Sequence, residues 1–178
     1  MLQRKISFYV IVLLLTITAT NFIYAINQTV PPEMQKLTSK LLGKWNAVLT
    51  LKMDGKEMSV KDVCNFTQVS DGQGIYMTEN FSMDNGTVIK GVNLIGYDAD
   101  KDVIHWYTVS SVGETIDNIV KWTDDDSFTI TYNGTMNNKP YSSVFECEFV
   151  KDGYCDVRQI AKVNNAVSQE MTGQFVRE

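Results

Sequence analysis

The only histidine of the chain, His105, stands beside Trp106 and Tyr107 in a segment that reads as a β-strand. Imidazole is the side chain whose ordinary pKa suits proton transfer near neutrality, so His105 with Tyr107 or a nearby acid is the candidate for acid–base work. One histidine does not build a structural zinc site, which as a rule takes four ligands. The sequence has no nucleophile elbow, histidine-paired serine, phosphate-cradling glycine loop or metal-spaced cluster. The remaining charged groups have plainer readings. Glu146 and Glu148 flank Cys147 and share a strand face, as do Asp156, Arg158 and Lys162 on the next strand. That arrangement is expected of a solvated outer face with cross-strand ion pairs. Asp124-Asp125-Asp126 lacks the spaced oxygen ligands of a calcium loop and reads as a hairpin turn. No catalytic residue, metal ligand or cofactor is expected from these patterns.

Binding is better supported than catalysis. Tyr107, Trp122, Phe128, Tyr132, Phe145 and Phe149 fall on segments of alternating polarity, with Asn118 and His105 as polar companions. An apolar, aromatic wall with a few convergent polar groups is the usual make-up of a small-molecule site. The candidate ligand contacts are therefore His105, Tyr107, Asn118, Tyr132 and Phe145.

These residues need a scaffold, and the periodicity supplies one. Glu33 to Leu42 carries Met34, Leu37, Leu41 and Leu42 at helical spacing, so a short helix should end at Gly43. From Trp45 onward the period is two. Trp45, Ala47, Leu49, Leu51 and Met53 alternate with Asn46, Val48, Thr50 and Lys52 before an Asp54-Gly55 turn. Met58, Val60, Cys64 and Phe66 continue one face of the next strand, with Asp62 as the polar exception. Further strands are expected over 75–82, 88–97, 103–109, 114–122, 128–132, 141–150, 154–163 and 167–177. About ten short strands with close turns and no later helix predict an all-β, antiparallel up-and-down barrel, whose closure removes exposed edges. A barrel of about eight strands is filled by its own side chains, so about ten should leave a cavity.

Arg4 and Lys5, an apolar stretch from Ile6 to Thr20 and a small residue at Ala25 form a secretory signal peptide over residues 1–25. The apolar run is too short for a confident membrane span, so none is expected after cleavage. Residues 26–33 read as an extended leader and 34–178 as one domain. The chain is acidic, with a net charge of −5, and loses two basic groups and no acid with the signal. Without a basic run it offers nothing for phosphate backbones, so nucleic acid is not an expected partner. A secreted or periplasmic location follows, with oligomeric state left open. Cys64, Cys147 and Cys155 make an odd count for an oxidising compartment. Cys147 and Cys155 flank the turn at Lys151-Asp152-Gly153 but are diagonal neighbours, roughly 7–8 Å apart in a regular ladder. Three buried thiols are therefore expected, with Cys147–Cys155 through a bulge as the alternative. Asn-x-Ser/Thr triplets at Asn27, Asn65, Asn80, Asn85 and Asn133 would be glycosylation candidates in a eukaryotic secretory protein.

Gly43-Lys44-Trp45 after a short helix, the long meander and the terminal Arg177 together resemble the calycin superfamily of lipocalins and fatty-acid-binding proteins. Gly96-Tyr97-Asp98 leading into Ile104-His105-Trp106, with Gly113 beyond, is similar to a bacterial lipocalin-like family catalogued as a domain of unknown function. The resemblance covers roughly residues 34–178. It implies that Trp45 closes the barrel base and that Arg177 stacks on it, its donors reaching carbonyls of the leading helix. It also implies no haem, because Asn46-Ala47-Val48 replaces a glycine-rich extension and no histidine lies near the C-terminus. The functional expectation is non-covalent binding of a small apolar ligand. The rivals are an enzyme using His105 inside the barrel and a structural envelope module recognised by its acidic exterior.

Overall fold

The computed structural model describes residues 29–178. The expected signal peptide and the start of the expected leader lie outside the described residues. A helix, α1 (Pro32–Leu41), is followed by ten strands: β1 (Gly43–Met53), β2 (Lys56–Val69), β3 (Gly74–Met83), β4 (Val88–Asp98), β5 (Val103–Ser110), β6 (Thr115–Trp122), β7 (Ser127–Met136), β8 (Lys139–Lys151), β9 (Tyr154–Val163) and β10 (Ala166–Arg177). Each strand pairs antiparallel with its sequence neighbours, and β1 pairs with β10 to close the barrel. Along the closing seam Trp45 faces Arg177, Leu49 faces Gly173 and Met53 faces Gln169. The closed, antiparallel up-and-down barrel expected from the alternation is the one observed. No helix among the described residues is long and apolar enough to cross a membrane.

The two-residue period explains the interior. On β1, Trp45, Ala47, Leu49 and Leu51 are buried while Val48 is exposed; on β2, Val60, Asp62, Cys64 and Phe66 form the buried face. Ile75 and Met77 on β3, Ile95 on β4 and Trp106 on β5 continue that face around the barrel. Proline at the first position of α1 suits a helix start, where the missing N–H costs nothing. The helix ends at a corner that only glycine accommodates easily, since Gly43 has φ +111°.

α1 closes one end of the barrel. Met34, Leu37 and Leu41 are buried. Lys36 pairs with Asp125 at 3.3 Å and Lys40 with Asp126 at 2.6 Å, both acids lying in the β6–β7 turn. Lys36 also lies 4.0 Å from the centre of the Trp122 ring. The Asp124-Asp125-Asp126 run is thus a turn, as expected, and it holds the helix down as well. Trp45 is nearly fully buried and its indole N–H donates to the Leu41 carbonyl at 2.7 Å. The Arg177 guanidinium lies 5.0 Å from the Trp45 ring centre. Its hydrogen-bond partner is Asp152, at 2.8 Å, rather than a helix carbonyl. The expected stacking is present, while the indole itself makes the link to the helix.

The cysteines depart from the first expectation. Cys147 and Cys155 form a disulfide with a Cα–Cα separation of 6.2 Å, leaving Cys64 as a buried free thiol. The two are diagonal, Cys147 opposite Val157 and Phe149 opposite Cys155, and the register shifts between Phe149 and Lys151. That irregularity accompanies a separation shorter than the diagonal of a regular ladder.

Candidate functional site

Inside the barrel lies a cavity of about 200 Å3. Its apolar wall includes Phe66, Met77, Trp106, Phe128, Phe145 and Phe149. Phe66 and Trp106 meet edge to face, with ring centres 6.0 Å apart. The Cys147–Cys155 disulfide contributes part of the wall at β8 and β9.

The chemistry is concentrated on β2, β3 and β4. Asp62 and Cys64 project from β2, and Glu79 from β3, where it is the Cα partner of Cys64. One ligand atom from each of the three lies within 4.8 Å of the other two. Asp62 is buried and hydrogen-bonded to Glu79 and Cys64. Burial is the main cause that pushes the Asp62 carboxyl up from 3.8 to about 8, reinforced by the charge and hydrogen bond of Glu79. Burial also raises the Glu79 carboxyl. Both carboxyls are therefore raised together, and the pair holds on to a proton more readily than a solvated carboxyl does. Burial and the neighbouring acids push the Cys64 thiol strongly upward, so it is an unreactive thiol. Among the described residues no lysine, arginine or histidine lines the cavity.

Glu79 has its place because of a glycine. Gly91 on β4 is its cross-strand partner. A Cβ there would stand 2.7 Å from Glu79 Oε2 and 3.7 Å from Asn93 Nδ2. Asn93 is almost fully buried, and its Oδ1 accepts from the Trp106 indole N–H at 2.9 Å and from the Thr108 hydroxyl. An indole N–H only donates, which fixes the amide orientation. Among the described residues Asn93 Nδ2 is left without a partner, as is Asp62 Oδ1, and both residues line the cavity.

The five residues expected from sequence are placed differently. Asn118 and Phe145 line the cavity. Asn118 donates to the Trp106 carbonyl at 3.1 Å, which ties it to the wall. His105 and Tyr107 lie on the other face of β5, because Trp106 and Thr108 take the inward positions. The His105 ring meets Asp117 through Nδ1 at 2.9 Å and Asp98 through Nε2 at 3.6 Å. Tyr107 is exposed. Tyr132 is outside the cavity lining and its ring centre is 6.0 Å from that of Tyr141. Glu146 and Glu148 are on the exposed face of β8, across from Arg158 and Asp156. The carboxylate pair inside the barrel is instead Asp62 with Glu79. Asp62 was visible as a polar break in an apolar face, whereas Glu79 gave no comparable signal.

No family model matches the chain, and no curated protein matches it. Solved structures do. The S-type phycobiliprotein lyase CPES from Guillardia theta superposes with a TM-score of 0.61 at 14% identity, covering 81% of this chain and 92% of that one. Rv2717c from M. tuberculosis also gives a TM-score of 0.61, at 12% identity, covering 84% of this chain and 99% of that one. At such identities the likeness concerns the fold alone.

Proposed function

We propose that this protein is exported and binds a small, largely apolar molecule non-covalently inside its barrel. The observation that carries the reading is the cavity of about 200 Å3, walled by aromatic rings and holding buried polar atoms without protein partners. A cavity of 150 Å3 lined by apolar groups accepts benzene, so the space suits a ligand of about one or two rings. Phe145 and Asn118 serve as ligand contacts, together with Phe66 and Trp106. The signal-like residues 1–25 and the Cys147–Cys155 disulfide both support an oxidising location. Membership of the bacterial lipocalin-like family of unknown function belongs to the same reading, supported by Gly96-Tyr97-Asp98 at the end of β4, just before the turn into β5. The enzyme reading built on His105 has little support, since that ring faces Asp98 and Asp117 on the outside.

Native mass spectrometry of freshly purified protein, followed by titration with hydrophobic fluorescent probes and fatty acids, tests binding. A co-purifying mass or saturable probe binding is expected. The absence of both, with a filled interior in a crystal structure, would overturn the reading.

A further inference from the structure

The aromatic cavity accounts for a ligand with an apolar body, but not for two acids in its wall, Asp62 buried and Glu79 half-buried. Taking carboxylates out of water is costly unless a cation or hydrogen-bond donors compensate. Here Asp62 and Glu79 face the cavity, and among the described residues no base lines it and Asp62 Oδ1 has no partner. Independently, Asn93 Nδ2 is a buried donor with nothing to donate to. Gly91 leaves open the space that Glu79 Oε2 and Asn93 Nδ2 both approach. A carboxyl pair beside an amide donor, above the crossed rings of Phe66 and Trp106, is complementary to one kind of molecule.

Resting on the binding function above, we propose that the ligand is a small arylalkylamine whose ammonium group sits between Asp62 and Glu79. Its ring lies against Phe66, Trp106 and Met77. An acceptor atom close to the amine, such as a β-hydroxyl, receives the Asn93 amide. Aromatic faces favour a cation as well as an apolar body, so the wall and the acids select the same molecule. A metal ion is the weaker occupant. It would find three protein ligands, one of them a thiol held protonated by its surroundings, in a wall otherwise largely apolar.

The test is calorimetric titration of the purified protein with phenethylamine, 2-phenylethanol and phenylacetate, which share a shape and differ in charge. The amine should bind at least about tenfold more tightly than the alcohol, and phenylacetate should not bind measurably. 2-Amino-1-phenylethanol should bind more tightly than phenethylamine, and Asn93→Leu should erase that gain. Asp62→Asn and Glu79→Gln should each remove the preference for the amine while leaving hydrophobic-probe binding intact, which also shows that the variants fold. Equal binding of amine and alcohol, with probe binding retained, would overturn the amine proposal and leave the apolar-ligand reading standing. Binding of neither probes nor amines would overturn both. Stoichiometric Zn2+ binding that excludes phenethylamine and is lost in Cys64→Ser would give the cluster to a metal and overturn the proposal.

Discussion

At the helix-covered end of the barrel, cations lie against acids and rings: Lys36 with Asp125 and Trp122, Lys40 with Asp126, and Arg177 with Asp152 and Trp45. On the wall formed by β2, β3 and β4, by contrast, two acids sit against each other with no base beside them. Both regions are built from aromatic residues and charge, yet only the first is electrostatically complete. The difference separates a region that holds the fold together from one whose polar atoms await an outside partner. It also predicts opposite responses to substitution, destabilising in the first region and neutral or stabilising in the second.

Truncating the base should have the largest effect. Trp45→Ala removes a buried indole, its bond to Leu41 and the ring under Arg177, and should lower stability by about 3–5 kcal/mol in urea titration. A loss below about 1 kcal/mol would break the contrast. Reducing the Cys147–Cys155 disulfide, which closes a short loop, should cost about 2–3 kcal/mol. Unfolding curves with and without reductant, paired with intact mass, would measure it.

The acidic wall should respond to pH. Asp62 is raised in the fold from 3.8 to about 8, so the folded protein binds more protons than the unfolded chain between those values. The stability contributed by protonation at Asp62 is complete below about pH 4 and is lost as pH rises through 8. The groups facing Asp62 are Glu79 from β3 and Cys64 from its own strand, while β1 presents Ala47 opposite it. The ligand-free protein should therefore lose about 1–3 kcal/mol between pH 5 and pH 9, as measured by thermal denaturation. Asp62→Asn should flatten that slope and raise stability at pH 9. A steeper slope in the variant would remove the contrast between the two regions. The smallest effect is expected at Arg177→Ala, about 0.5–1 kcal/mol, because the guanidinium is partly exposed and its partner Asp152 is fully so.

Much of the base was legible in the sequence. Gly43 and Trp45 mark a corner followed by strict alternation, and Arg177 lies at matching parity on the last strand. The acidic wall was legible only by half. Asp62 interrupts an apolar face within its own strand, but Glu79 reaches it through pairing between strands, and register is not written in local periodicity. His105 and Tyr107 illustrate a different limit. β5 carries apolar residues at both parities, Ile104 and Trp106 on one and Tyr107 and Val109 on the other. The alternation does not say which set turns inward, and the larger indole with its bond to Asn93 takes the interior. The disulfide stood only as the alternative, because it goes with an irregularity of register that alternation does not reveal.

The pairing of Trp45 with Arg177 has a consequence in time. Nine of the ten strand pairings join sequence neighbours and can form as hairpins, whereas the seam between β1 and β10 must bring together nearly the whole length of the domain. Closing a loop of that length costs about 2 kcal/mol more in chain entropy than closing one of ten residues. The seam should therefore form last. Until β10 has been synthesised the growing chain is an open sheet with two unpaired edges, and its most vulnerable moment comes just before completion.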